Sequence, residues 1–132
     1  DGLGMKLLQQ TGVAIAVISG KKSEAVARRL NELHIEYTYL GHDDKRPAYA
    51  ELKQKLQLED QQIAYMGDDL PDLPLLRRVG LAITVPQAPA IIRQHVDITT
   101  KNPGGQGAVR EVCELIMEAQ GHYETVIQSF LQ

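Results

Sequence analysis

A short apolar run that ends at a glycine and is followed by three carboxylates constrains the fold of this chain most. The run covers residues 63–67, and Asp68, Asp69 and Asp72 come after it. An apolar run of this length predicts a buried strand, and Gly67 lets the chain turn sharply at its end. Ligands bind at the carboxyl ends of strands in open parallel sheets. The aspartates are therefore candidate ligands for a hard cation, Mg²⁺ above all.

Helix capping is the alternative explanation for one of these acids. Asp69 suits the N-cap of a helix that has Pro71 in its first turn. Capping by a single aspartate leaves Asp68 and Asp72 unexplained, so both interpretations of the cluster stay open.

Composition indicates one globular domain, residues 1–132, with 43% apolar and 23% charged residues. The net charge of −3 and the lack of a basic block argue against a nucleic-acid partner. The single cysteine, Cys113, excludes an internal disulfide, and no zinc-site spacing surrounds it. No apolar run approaches the roughly 20 residues of a membrane span, and no signal peptide is visible. We therefore expect a cytoplasmic protein with no membrane partner.

Strand and helix patterns alternate along the chain. Strands are predicted at 13–18, 36–40, 63–67, 81–85 and, at one edge, 96–98; helices are predicted at 3–10, 23–33, 46–56, 70–79, 88–94 and 108–120. In the second helix Ser23 is the predicted cap, with Ala25, Val26, Leu30 and Leu33 as the buried stripe. The alternation predicts an α/β fold with a parallel sheet. Residues 122–132 are a possible C-terminal tail or helix whose apolar side chains need a partner surface.

Three polar clusters each follow a predicted strand, and in a parallel sheet these strand ends share one edge. Ser19 and the neighbouring backbone N–H groups can bind phosphoryl oxygens. Lys45 can balance charge on a transferring group, and Asp68 can hold Mg²⁺. Each also has an ordinary explanation, since a serine after a strand is commonly a turn residue and a loop lysine is commonly solvated.

No nucleophile completes this constellation within the 132 residues. Ser19 has no His–Asp relay near it in sequence, so a serine triad is not supported. His42 lies in the Lys45 loop, where an exposed surface role is favoured over substrate contact. A phosphoacceptor receiver domain uses similar residues, but its acids precede its hydroxyl and its lysine, which is the reverse of the order in this chain.

The order Ser19, Lys45, Gly67-Asp68-Asp69 resembles motifs two to four of the haloacid dehalogenase superfamily. Further segments resemble the 3-deoxy-D-manno-octulosonate 8-phosphate phosphatases, the KdsC/YrbI family, from Asp1 to about Gln120. They are Asp1-Gly2-x-Gly4, Ile18-Ser19-Gly20-Lys21, Gly41-x-x-Asp44-Lys45, Tyr65-Met66-Gly67-Asp68-Asp69 and Gly104-Gly105-x-Gly107-Ala108-Val109-Arg110-Glu111-Val112. The glycine-rich segment is the most specific of them.

The resemblance implies a Rossmann-like parallel sheet with helices on both faces. It implies an Mg²⁺-dependent phosphatase of a phosphorylated sugar acid in lipopolysaccharide biosynthesis, a homo-oligomer, expected to be a tetramer, with active sites at subunit interfaces. By resemblance Asp68 is the metal ligand, Asp69 supports it, and Ser19 and Lys45 hold the phosphate. The residues implied to contact the sugar acid or its phosphate are Asp1, Gly2, Lys6, Gly20, Lys21, Arg29 and Lys45.

Two features depart from the family pattern. Lys6 and Lys21 stand where well-known members carry arginine, and lysine is a point donor where arginine offers a bidentate fork. The family's first motif, Asp-x-Asp-Gly, is absent from the chain; it supplies the nucleophile and the general acid/base. That motif lies on a central strand between those expected at 13–18 and 63–67, so its absence predicts a gap with unpaired backbone groups.

We therefore expect the chain to be the C-terminal part of a larger protein or one piece of a two-chain assembly, with a companion peptide supplying the strand. Alone, it is expected to turn over nothing. The alternative is a non-catalytic oligomerisation module attached to a sugar-activating enzyme, a role that the apolar residues of 122–132 would suit.

Overall fold

Helices and strands alternate along residues 2–132, the part of the chain that the computed structural model describes. The α-helices are α1 (Gly2–Gln10), α2 (Glu24–Glu32), α3 (Arg46–Leu56), α4 (Leu73–Leu76), α5 (Ala90–Arg93), α6 (Ala108–Ala119) and α7 (Tyr123–Phe130). The strands are β1 (Ala16–Ser19), β2 (Tyr37–Leu40), β3 (Ala64–Met66), β4 (Leu81–Thr84) and β5 (Ile98–Thr99). Short 3₁₀ helices cover Asp60–Gln62 and Leu70–Asp72. The prediction of an α/β fold is confirmed.

Local signals account for where α2 begins, but not for all of its predicted buried stripe. Ser23 is the N-cap, and its hydroxyl accepts a hydrogen bond from the Val26 N–H at 3.4 Å. Leu30 and Leu33 are buried as predicted, whereas the prediction for Ala25 and Val26 is wrong, since both are exposed. The helix reaches the core only through its last turn, so its first turn stays in solvent.

The strands form two separate parallel sheets. Strand β1 pairs with β2, and β3 pairs with β4, which in turn pairs with β5. The edge position predicted for the fifth strand is confirmed. Within residues 2–132 no strand bridges β1 and β3. Each of these two strands therefore has one edge without a ladder partner.

A cavity of about 550 Å³ lies at this division, and we call it the central cavity. Its walls include residues 13–18, which lead into and form most of β1, and residues 63–68 around β3. Apolar side chains from three helices complete it, among them Leu8 of α1, Leu52 of α3 and Val109 of α6. Lys45, Asp68 and Asp72 also line it. The central cavity is thus apolar and lies between the unpaired edges of β1 and β3. The polar residues Lys45, Asp68 and Asp72 line its mouth.

The terminal helices pack on one another beside this cavity. Helix α1 packs against α6, with Leu8, Cys113 and Met117 buried between them. Tyr123 and Val126 of α7 pack on the same cluster. At the end of α7, Phe130 and Leu131 are exposed. Among the described residues no helix has the length and apolar character needed to cross a membrane.

Candidate active site

The carboxylate of Asp72 is the centre of the polar cluster that follows β3. Its Oδ1 accepts hydrogen bonds from Lys45 Nζ at 2.6 Å and from the Tyr65 hydroxyl at 2.5 Å. Its Oδ2 accepts from the backbone N–H groups of Asp68 at 2.9 Å and Asp69 at 3.2 Å. Asp72 is only 4% exposed. One buried carboxylate therefore ties Lys45 to the loop that carries the other two aspartates.

The chain at the end of β3 is shaped to bring Asp72 this close. A Cβ added at Gly67 would lie 2.7 Å from Asp72 Oδ2 and closer still to the carboxyl carbon, so no side chain fits there. The Gly67 carbonyl accepts a hydrogen bond from Thr84 Oγ1 of β4 at 2.6 Å, which anchors the turn to the sheet. The 3₁₀ helix Leu70–Asp72 then turns the chain back, so that the Asp72 side chain packs against Gly67.

Burial and hydrogen bonding oppose each other at Asp72. Desolvation by itself would raise the pKa of this carboxyl, but the hydrogen bonds from Lys45 and Tyr65 outweigh it and the net pKa is lowered. Burial, followed by the hydrogen bond to Asp72, raises the pKa of the Tyr65 hydroxyl. Asp72 is thus an ionised acceptor at neutral pH, and Tyr65 is a neutral donor.

The three aspartates do not converge on one point. Asp69 is the N-cap of the 3₁₀ helix, and its carboxylate accepts from the Leu70 N–H at 2.8 Å, so the capping interpretation is confirmed for this residue. Asp72 is engaged by Lys45 and Tyr65. Within residues 2–132 the exposed Asp68 carboxylate has no donor on it. Nor do the described residues include a group of three or more His, Cys, Asp or Glu side chains placed to hold a metal ion.

The loop after β1 is joined to the loop that precedes Lys45. The Ser19 hydroxyl accepts a hydrogen bond from the Lys21 N–H at 3.1 Å, and the Ser19 carbonyl accepts from the His42 N–H at 3.0 Å. Asp44 pairs with Arg46 instead of Lys45: its carboxylate accepts from Arg46 Nε at 2.9 Å and Nη2 at 3.0 Å. The structure therefore brings the Ser19 loop and the Lys45 loop together, as their order after the strands predicts.

The remaining candidate residues lie apart from this cluster. Gly2 of α1 lies against the guanidinium of Arg29 on α2, which also pairs with Glu32 at 3.5 Å. Lys6 and Lys21 are exposed. Within the described chain no hydrogen bond or ion pair joins Gly2, Lys6 or Arg29 to Lys45 or Asp68. Asp1 lies outside the described residues.

The sequence does not predict the roles of two residues of the cluster. Tyr65 falls in the predicted buried strand and in a segment that resembles the KdsC/YrbI family, and Asp72 is predicted only as a possible cation ligand. The signal available for Tyr65 was a hydroxyl placed two residues before Gly67. The signal for Asp72 is its position among apolar residues of the sequence. A carboxylate buried there needs a cation or several hydrogen-bond donors nearby.

Comparison with known proteins gives a matching family model and several curated relatives. A family model described as haloacid dehalogenase-like hydrolase matches residues 35–112. A 3-deoxy-D-manno-octulosonate 8-phosphate phosphatase, KdsC, from Yersinia pestis is 40% identical over 124 residues, which are 94% of this chain and 66% of the relative. The corresponding Escherichia coli K12 protein is 38% identical, covering 92% of this chain and 64% of the relative. The chain thus spans slightly less than two-thirds of the length of these curated relatives.

Solved structures extend the comparison to three dimensions. The Moraxella catarrhalis 3-deoxy-D-manno-octulosonate 8-phosphate phosphatase, crystallised with magnesium, phosphate and KDO, matches with a TM-score of 0.95 at 45% identity, covering 98% of this chain and 74% of that one. The cobalt-bound YrbI phosphatase of Haemophilus influenzae matches with a TM-score of 0.93 at 35% identity, covering 99% and 78%. This chain therefore belongs to the haloacid dehalogenase-like hydrolase family and, within it, to the KdsC/YrbI family.

Proposed function

We propose that the protein to which this chain contributes is an Mg²⁺-dependent phosphatase that hydrolyses a phosphorylated 3-deoxy sugar acid, 3-deoxy-D-manno-octulosonate 8-phosphate or a close analogue. The observation that carries the proposal is the Lys45–Asp72–Asp68 cluster at the mouth of the central cavity. The related phosphatase crystallised with magnesium, phosphate and KDO supports the cofactor and the substrate class.

The carboxylates of this chain suit part of the coordination shell of Mg²⁺. This ion is commonly held by one or two carboxylates, with water and substrate phosphate completing an octahedron. Asp68 offers one exposed carboxylate, and Asp69, held as a cap at the next position, supports its loop. When bound, the ion would neutralise phosphate charge.

The chain's own residues supply positive charge and donors for the phosphate. The Lys45 ammonium pairs with Asp72 at 2.6 Å and would offset charge on the transferring group. The Ser19 hydroxyl, with backbone N–H groups around Gly20, would bind phosphoryl oxygens. By the family resemblance, further contacts to the sugar acid or its phosphate would come from Lys6, Lys21 and Arg29, and from Asp1 and Gly2.

The nucleophile is proposed to come from a strand outside residues 1–132 that fills the central cavity. A strand between β1 and β3 would bond to both unpaired edges and lie about 4.8 Å from each. Apolar walls suit side chains buried on both faces, as in parallel sheets. A carboxylate at its carboxyl end would reach the mouth near Lys45. That carboxylate would form the P–O bond as the ester oxygen leaves with a proton from a second acid, and water would then hydrolyse the aspartyl-phosphate.

A non-catalytic role is the second candidate, since Phe130 and Leu131, at the C-terminal end of α7, are exposed. These apolar residues favour an oligomerisation module or the tetramer of the catalytic proposal. A role in lipopolysaccharide biosynthesis and a cytoplasmic location accompany the catalytic proposal.

The deciding experiment combines the denatured intact mass of the purified sample with a phosphate-release assay on 3-deoxy-D-manno-octulosonate 8-phosphate. We expect turnover that needs Mg²⁺ only when a polypeptide bearing Asp-x-Asp-Gly is present, and none from residues 1–132 alone. Rapid release by the pure 132-residue chain would refute the proposed source of the nucleophile. Tight oligomers with no release from the complete protein would favour the module.

A further inference from the structure

We propose that Tyr65 is a positioning residue for the phosphate-binding ammonium of Lys45. This inference rests on the proposed phosphatase function for its kinetic consequence, but its structural content stands on the geometry of three side chains. Tyr65 lies on β3, Lys45 on the loop before α3, and Asp72 at the end of the 3₁₀ helix, so the three come from separate elements.

The hydroxyl of Tyr65 contacts both members of the ion pair. It donates to Asp72 Oδ1 at 2.5 Å and accepts from Lys45 Nζ at 3.4 Å. Lys45 Nζ also donates to the same Oδ1 at 2.6 Å. The ammonium nitrogen, the hydroxyl oxygen and Oδ1 thus form a closed triangle, in which each atom restricts the positions of the other two.

The triangle determines the direction of the remaining ammonium proton. A lysine ammonium has three N–H donors and no acceptor. Two of them are directed at Asp72 and Tyr65, and among the described residues no third acceptor is bound. The Lys45 side chain is 14% exposed and lines the central cavity. The third N–H is therefore left for a ligand oxygen at the mouth.

Without the Tyr65 hydroxyl, a single contact to Asp72 would orient the ammonium. The charge of Lys45 and its attraction to a phosphate would remain, but the ammonium would rotate about one hydrogen bond. The hydrogen bond from Lys45 to the phosphate must be aligned in the transition state, so it would weaken there more than in the bound substrate. The substitution should therefore lower kcat rather than raise KM.

The chain contains a matched control at the other end of β3. The Tyr49 hydroxyl donates to Asp60 Oδ1 at 2.5 Å, and Lys53 Nζ donates to the same oxygen at 2.9 Å. This second Tyr–Asp–Lys group has the same composition, but its aspartate, Asp60, precedes β3, whereas Asp72 follows β3. Removing the Tyr49 hydroxyl therefore tests the general effect of losing such a hydrogen bond.

The test compares Tyr65→Phe with Tyr49→Phe in the complete protein, assayed with the sugar-acid phosphate and Mg²⁺. We expect Tyr65→Phe to lower kcat about tenfold, as for one hydrogen bond to a charged group, with KM within about twofold. Tyr49→Phe should leave both unchanged. Equal kinetics for the two variants, or a rise in KM with kcat unchanged, would overturn the proposal.

A second readout does not need activity. The ¹⁵N-labelled side-chain ammonium of Lys45 should give a resolved, slowly exchanging signal in the wild-type and Tyr49→Phe proteins, and lose it in Tyr65→Phe. A signal that persists in Tyr65→Phe shows that Tyr65 does not hold Lys45, whatever the kinetics. If the wild-type protein releases no phosphate, the phosphatase proposal fails, while the Lys45 signal still decides the positioning claim.

Discussion

At the end of β3, Gly67 and Asp72 pack so closely that even a methyl side chain at position 67 would clash with the Asp72 carboxylate. Gly67 has no positive φ that would require glycine; the requirement comes from the Asp72 carboxylate packed against its Cα. The glycine of this motif is thus needed for the close approach of the buried Asp72 carboxylate and not for a left-handed turn.

Replacing Gly67 with alanine should destabilise the fold by about 1–3 kcal/mol, because the new methyl group overpacks the Asp72 carboxylate. Gly20→Ala is the matched control: its Cβ would meet Asp43 Oδ1 at 3.4 Å, an ordinary contact. Urea unfolding of the two variants measures the difference. Equal midpoints would show that the loop at Gly67 shifts without cost.

The pH dependence of the loop after β5 should follow the titration of Glu111. Its carboxylate accepts from the Lys101 N–H, the Asn102 N–H and Asn102 Nδ2, each with a bond of 2.9 Å. The backbone N–H of Lys101, then that of Asn102, lowers the pKa of Glu111. Stability from these bonds is therefore present above the unfolded pKa of about 4.3 and lost as pH falls through the lower folded value.

We expect the amide signals of Lys101 and Asn102 to titrate together with a midpoint below the ordinary glutamate pKa of about 4.3. Glu111→Gln, which keeps an acceptor but cannot titrate, should abolish the shift. A midpoint at or above the ordinary value would contradict the hydrogen-bonded geometry of Glu111.

At the level of elements, capping signals in the sequence correspond to observed helix ends. Ser23 begins α2, and Arg46–Leu56 has the predicted bounds for α3, with Pro47 in its first turn. The predicted helix at 70–79 is divided into a 3₁₀ turn and α4, each with a proline near its start. Proline cannot donate a backbone hydrogen bond. Pro74, so soon after Pro71, therefore interrupts the helical hydrogen bonds and begins a second helix.

Ser23→Ala should destabilise the protein by about 0.5–1 kcal/mol, since an unsatisfied N–H would remain in the first turn of α2. The lower part of the usual range applies because the bond is long, at 3.4 Å. Ser129→Ala is the control: its hydroxyl donates to the Val126 carbonyl inside α7, where alanine favours the helix. Thermal unfolding compares the two, and equal losses would argue against the cap.

At the scale of the whole molecule, the division into two sheets is the dominant feature. The unpaired edges of β1 and β3 face the central cavity, whereas β4 is paired on both sides. Backbone groups without partners are costly when buried, so this region should be the least protected part of the sheets until a strand occupies it.

Hydrogen exchange on the 132-residue chain should show faster exchange in β1 and β3 than in β4, because β4 has ladder partners on both edges. Adding the polypeptide that supplies the missing strand should slow exchange in β1 and β3 while leaving β4 unchanged. Protection of β1 and β3 equal to that of β4 in the chain alone would refute the open central cavity.

The sequence by itself determined the order of strands and helices, the Ser23 cap, and the approach of the Ser19 loop to the loop before Lys45. These features depend on neighbours within a few residues, or on apolar residues that repeat every two residues in a strand and every 3.6 in a helix. Once the strands are predicted, the positions of their carboxyl ends are predicted too. Only the tertiary structure decided what each acid does. Asp72 meets Lys45 across 27 residues of sequence and Lys45 meets Tyr65 across 20, and such distant partners leave no periodic signal, because burial and pairing arise only when the elements pack.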